Sequence, residues 1–410
     1  MTPRSSARAA SDFLNPVPLS RDITYKAGMS ENASLELARD LVRLPSVNPD
    51  YDPHSPAEIN VARHIVEWAA KNHLDCREQP VIDDRANLIL TIRNGADRPH
   101  VHFNGHMDTV AVDGMTIDPF GGDVHNGRLW GRGSADMKGP LACMLTAARN
   151  LRDTPDSWRG TLSVGCMVDE ETRFRGVNRM VEDFTPPDYA IVGEPTSLGV
   201  VRGCKGVLRF GIVVRGRAVH SSRPAEGRNA IVGMARIIPV LDGWFREELS
   251  RTNHPDFGPS TGSIGLIEGG AGVNIVPEEC RIQIDVRLLP GQDWTSVMDK
   301  VKELAAAAVA DLDGIDCEVE PPCLIDTGLE LPADHPLVET ALKATGTERS
   351  SVVFYGCDGS KIAAKGVPTI ILGPGDIAQA HTADEFIELD QLEKAPGVYE
   401  TLAKALMPAC

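Results

Sequence analysis

The sequence predicts an α/β protein of two domains, a larger catalytic unit with a smaller one inserted in its chain. Three observations lead there. At 410 residues the chain exceeds what one ordinary hydrophobic core organises. Through the first half, short apolar runs of strand character alternate with amphipathic helical runs. Near Val207 the order changes to strand, helix, two strands, helix and strand, and after about residue 322 the alternating style returns.

Taken in order, SLELARDLVRLPSV (34–47) has helical spacing and runs into a proline, and AEINVARHIVEWAAKNHL (57–74) is a second amphipathic helix. NLILTIRN (87–94) and HVHFNGH (100–106) read as strands, followed by a glycine-rich loop to Lys138. GPLACMLTAARNLR (139–152) is a buried helix, TLSVGCMVDEE (161–171) a strand running into acids, and DYAIVGEP (188–195) repeats that theme. The second unit, β-α-β-β-α-β, comprises strand 207–215, helix 227–242, strands 261–268 and 279–288, helix 294–311 and strand 315–320. Helix 336–344, strand 351–355, helix 359–364, strand 368–373 and helix 389–408 complete the chain. The expected division is therefore catalytic residues 30–206, an insert over 207–321, and catalytic residues 322–410. Residues 1–29 lack any apolar core and are expected to be a disordered extension, with Met29 a candidate start.

Composition narrows the function. The formal charge of −17 argues against nucleic acid or an anionic membrane as partner. Nine cysteines with no CxxC pair signal neither a disulfide framework nor a thiolate zinc site, which suits a reducing cytoplasm. No run approaches the ~18 apolar residues of a membrane helix.

Ligands of open α/β sheets bind beyond the carboxyl ends of the strands, and five polar clusters fall at such places. They are HMD (106–108), the glycine-rich loop with Asp136, DEE (169–171), GEP with Glu194, and AHT with His381. Singly, each has a bland reading: a surface turn at His106, a helix cap at Asp136, a solvated acid at Glu194. Asp108, two residues from His106, suits a carboxylate that orients a metal-bound imidazole. Three adjacent acids at a strand end need full solvation or a cation. Together the clusters form a ligand set of nitrogen and oxygen only, suited to zinc, cobalt or manganese. His100, His102 and His125 read as structural.

The ordered series GHMDTV, DPFGG…GRLWGRGSADMKG, DEE, VGEPT, GRAVHSSRPAEGRNAI, GGAGVNIVPEECRIQIDVRLLPG and HTADEFI resembles the co-catalytic zinc peptidases and deacylases. That family holds acetylornithine deacetylase, succinyl-diaminopimelate desuccinylase, aminoacylase and glutamate carboxypeptidase. The resemblance runs from about Ser34 to the C-terminus. It implies two divalent metal ions, with His106 and Glu194 on one, Glu171 and His381 on the other, and Asp136 between them. It makes Glu170 the general base, activating a metal-bridging hydroxide, and Asp108 the partner of His106. A cis peptide commonly follows the bridging aspartate, here Asp136–Met137. The insert matches a lid that also forms a homodimer interface, through which His220 reaches the neighbouring active site to stabilise the oxyanion. Asn274 and Arg287 match residues that contact the substrate's backbone or carboxylate.

The implied activity is hydrolysis of the amide bond of an N-acyl amino acid, with a carboxypeptidase, a dipeptidase or a family member adapted to an unusual amide or aryl-amine as alternatives. One departure stands out: GCDGSK (356–361) places Cys357 where many relatives have threonine.

Overall fold

The structure is a computed structural model and describes residues 33–409. The extension expected over 1–29 lies outside them. An eight-stranded sheet and a five-stranded sheet dominate the architecture.

The large sheet is built around the strand Gly160–Met167, whose eight residues are all buried. The two runs expected as separate strands form one continuous element, Arg85–His106, whose halves lie on either side of it. Leu88 faces Cys166 in the first half, and His100 to His106 run beside Thr161 to Met167 in the second. Tyr189–Val192 and then Thr369–Ile371 continue the sheet in parallel. Several elements are not predicted by the sequence, three of them here. The edge strand Asp75–Ile82 is charged and mostly exposed, so no alternation marks it. The helix Arg175–Asp183 buries only a narrow stripe around Val177, Met180 and Val181. The strand Val201–Cys204 is separated from the next strand by Lys205 alone.

Helices cover both faces of the sheet, as parallel strands require. On one side Ala33–Val42, Lys138–Asp153, Pro336–Thr345 and Leu389–Leu406 share a core with Phe103, Leu162 and Val164. On the other, Phe174, Val177 and Ile362 pack on Met167, Val192 and Ile371.

In the five-stranded sheet, Gly206–Arg215 lies between Glu279–Leu288 and Asp316–Val319, with Thr261–Gly269 at the edge. Its inward residues Leu208, Phe210, Ile212 and Val214 alternate with outward ones and meet the helices Ala230–Glu247 and Trp294–Val309. The order is the expected strand, helix, two strands, helix, strand. Asn229 caps the first helix by accepting from the Val232 N–H, which moves its start three residues past the expected position. Other bounds also shift. The first helix ends at Val42, the strand expected to reach Glu171 ends at Met167, and the glycine-rich loop contains paired strands Asp123–His125 and Arg128–Trp130. Among the described residues no helix is long and apolar enough to cross a membrane.

At the opposite end of the large sheet's strands, Ser163 sits between two imidazoles, 2.7 Å from His100 Nε2 and 2.8 Å from His102 Nδ1. Burial, and then the Arg98 charge, lowers His100 to about 4. Burial, and then His100, lowers His102 to about 3. Both rings stay neutral in the fold at a pH where an unfolded imidazole, titrating near about 6.5, takes a proton. As pH falls from about 6.5 toward 4 the unfolded chain binds more protons than the folded one, so stability drops in that window. His102→Gln is expected to shallow this drop. Urea midpoints at about pH 7 and pH 4.5 measure it, and an unchanged difference between parent and variant would refute the assignment.

Candidate metal centre

The parallel strands deliver their polar residues to one place. His106 ends its strand, Asp169, Glu170 and Glu171 follow Gly160–Met167, and Glu194 follows Tyr189–Val192. Asp136 enters from the loop ahead of the helix Lys138–Asp153, and the Asp136–Met137 peptide is cis. His381 enters from the loop after Thr369–Ile371, in the left-handed region with φ 63°. The glycines of GHMD and VGEP leave room here for the Met137 side chain. A Cβ on Gly105 or Gly193 would press on the buried end of Met137, the residue after Asp136.

Asp136 presents one oxygen to each histidine, Oδ1 at 3.1 Å from His106 Nε2 and Oδ2 at 3.4 Å from His381 Nε2. Glu171 Oε2 lies 3.1 Å from His381 Nε2. Glu170 Oε2 and Glu194 Oε1 each lie 3.9 Å from His106 Nε2. One nitrogen or oxygen from each of His106, Asp136 and Glu171 falls within 4.8 Å of the others. The acids and His106 are buried, whereas His381 is half exposed.

These residues fit divalent cations. Among the described residues, Glu171 Oε1 and Glu194 Oε1 are buried oxygens with no hydrogen-bond partner, and unpaired buried carboxylate oxygens are costly. Burial drives Glu170 well above the usual carboxylate range, and the Glu194, Asp358 and Glu171 charges add to that against His106. Burial and then Asp136 raise Glu194, while burial and then Asp136 push Glu171 up to about 7. His106 is raised: burial opposes its charge, but the bonds to Asp108 and Asp136 prevail. Asp136 and Glu171 hold His381 up to about 10. Without cations the cluster must retain protons to limit its own negative charge. Divalent ions supply the same neutralisation with nitrogen and oxygen donors already converging.

Asp108 contacts more than His106. Its carboxylate is 3.4 Å from His106 Nδ1, while its main-chain carbonyl is closer, at 3.0 Å. The carboxylate oxygens accept the Glu170 and Glu171 N–H groups at 3.1 and 3.2 Å, fixing the turn that carries both acids. Asn48 Nδ2 donates to Asp108 at 2.8 Å and to Asp169 at 3.0 Å. Glu58 takes the Arg85 guanidinium through two 2.6 Å bonds and accepts the Asp169 N–H. Glu385 accepts the Ala135 and Asp136 N–H groups at 2.9 and 3.0 Å and pairs with Arg132 at 2.7 Å. The sequence reading missed Asn48, Glu58, Arg85, Arg132 and Glu385. Glu385, four residues after His381, and Arg132, four residues before Asp136, carried a positional hint.

The acids open into a cleft of about 450 Å³ that is also lined by Arg209, Arg287 and Leu324 of the smaller sheet and by Tyr51 and Tyr355. Arg287 thus faces the cluster. His220 and Asn274 do not line the cleft of their own chain. They lie at a short two-stranded pairing of the smaller unit, where Ile275 pairs with His220, and both are exposed. A larger cleft of about 540 Å³ lies around His100 and His102, remote from the acids.

Residues 102–405 match Peptidase family M20/M25/M40, and the chain belongs to that family. The chain is 35% identical over 377 residues to an acetylornithine deacetylase of Yersinia pseudotuberculosis, covering 88% of this chain and 94% of that one. An acetylornithine deacetylase of Proteus mirabilis is 34% identical, with 88% and 93% covered. The fold is similar to that of an M20 family metallo-carboxypeptidase of Sulfolobus solfataricus, with TM-score 0.73 and 21% identity over 92% of this chain and 99% of that one. The protein is accordingly a metal-dependent hydrolase acting on amide bonds.

Proposed function

We propose that the protein cleaves the amide bond of an N-acyl amino acid, using two divalent cations held by its strand-end residues. One observation carries the reading. The Asp136 carboxylate is shared between His106 and His381, beside the unpaired oxygens of Glu171 and Glu194. His106 and Glu194 would hold one cation, Glu171 and His381 the other, with Asp136 bridging. Zinc, cobalt or manganese bound there would polarise the amide carbonyl and acidify a water molecule. Glu170 is the general base: its carboxylate takes a proton from the attacking water and returns it to the leaving nitrogen. Its buried position favours the protonated form needed for the second transfer. Asp108 holds the Glu170 main chain so that this carboxylate stays aimed into the cleft. Arg287 pairs with the substrate carboxylate through its planar fork.

The acylated substrate fits the family relationship to acetylornithine deacetylases. A panel of N-acetyl and N-succinyl amino acids and dipeptides, each assayed with zinc, cobalt and manganese, tests it. Turnover of dipeptides alone would transfer the reading to the peptidase alternative. The eight free cysteines among the described residues suit a cytoplasmic setting.

A homodimer completes the proposal. Leu266 and Ile267 on the edge strand Thr261–Gly269 are 56% and 58% exposed, and Ile231 and Val232 on the adjoining helix are also exposed. An apolar edge strand left open invites pairing with a second copy. His220, which does not line its own cleft, would then serve the oxyanion of the partner's. Ile267→Lys is expected to yield a monomer with kcat lowered by about 10²- to 10³-fold, the scale of one lost oxyanion donor. Sedimentation and kinetics on the same preparation check this. A fully active monomer would remove both the dimer and the role of His220.

A further inference from the structure

The smaller sheet brings a second guanidinium to the cleft. Arg209 and Arg287 stand on the neighbouring strands Gly206–Arg215 and Glu279–Leu288, and Asp285, opposite Arg209 in register, clasps both. Its Oδ2 accepts from Arg209 Nε and its Oδ1 from Arg287 Nε, each at 2.8 Å. The clasp uses only the inner nitrogen of each arginine. Among the described residues the terminal nitrogens of both have no protein partner, and both side chains remain partly exposed at the cleft. Two positive groups around one aspartate leave a net positive charge, with two forks free for carboxylates.

One fork suffices for the carboxylate of an ordinary N-acyl amino acid. The other has nothing to bind in such a substrate. It would also repel a cationic side chain placed at that end of the cleft. We propose that Arg209 is a specificity-determining residue that selects substrates bearing a second carboxylate, on the acyl arm or on the amino-acid side chain. This inference rests on the N-acyl amino acid reading for its substrates, but its binding arm can be tested apart from turnover.

The test compares kcat/KM of the metal-loaded full chain on N-succinyl-L-alanine, N-acetyl-L-glutamate, N-acetyl-L-alanine and N-acetyl-L-ornithine. At least one of the first two is expected to exceed N-acetyl-L-alanine by about tenfold or more, the scale of a hydrogen bond to a charged group. Which one does so identifies the arm. In R209M this ratio is expected to fall by about tenfold. A parent ratio near one, or a ratio unchanged in R209M, overturns the proposal. Calorimetric titration with glutarate and with butyrate gives the second readout. The parent should bind glutarate more tightly and R209M should lose the difference. If no acyl amino acid is turned over while that difference holds, the N-acyl amino acid reading fails and the Arg209 assignment stands. If glutarate and butyrate bind the parent alike, the Arg209 assignment fails whatever the turnover.

Discussion

Glu170→Gln is expected to lower kcat by about 10²- to 10⁴-fold, the range a positioned general acid–base contributes, while metal content stays near that of the parent. Glutamine keeps the shape of the side chain and the main-chain bond to Asp108, but it cannot accept and return a proton. Glu170 lies 3.9 Å from His106 Nε2, farther than Asp136, so its loss spares the closest carboxylate contact of that imidazole. Metal analysis alongside single-turnover kinetics separates the outcomes. An active variant defeats the base assignment, and an inactive variant stripped of metal makes Glu170 a ligand instead.

Asp136→Asn is expected to cost more than the ~100-fold typical of losing a residue that only supports a ligand, because both histidines face the same carboxylate. Metal content should fall with activity. Chelation of the parent should imitate the variant and lower its melting temperature. Each site kept at a hundred times its Kd contributes about 2.7 kcal/mol of folded-state stability. The loss should be greater at pH 8 than at pH 5. Without cations, Glu171 titrates near 7 in the fold, above the usual 4.5. Between those values the folded chain holds a proton that the unfolded chain releases, so metal-free stability falls as pH rises through the window. Calorimetry with and without chelator at the two pH values checks this. A penalty independent of pH would contradict the expectation.

Much of the centre was legible because strand ends announce themselves. An apolar run that stops at His106, or at Asp169–Glu171, juxtaposes a buried element with residues that resist burial. The supporting residues lacked that contrast. Glu58 and Arg85 look like ordinary surface charges until the fold buries them as a pair, at 1% and 6% side-chain exposure. Arg209 was obscured by a correct pattern. It occupies an outward position in a strand whose Leu208, Phe210, Ile212 and Val214 face the core, and such positions normally meet only solvent. That this outward face turns toward the acids depends on how the two sheets are joined, which local periodicity does not encode.

That junction has a mechanical consequence. The chain leaves the large sheet through Lys205 alone and returns between Asp326 and Leu329. The two passages touch, since a methyl on Gly206 would collide with the Asp326 carbonyl oxygen. The acids and the arginines thus belong to separate sheets joined at one closely packed crossing, so the geometry of that crossing sets the span between them.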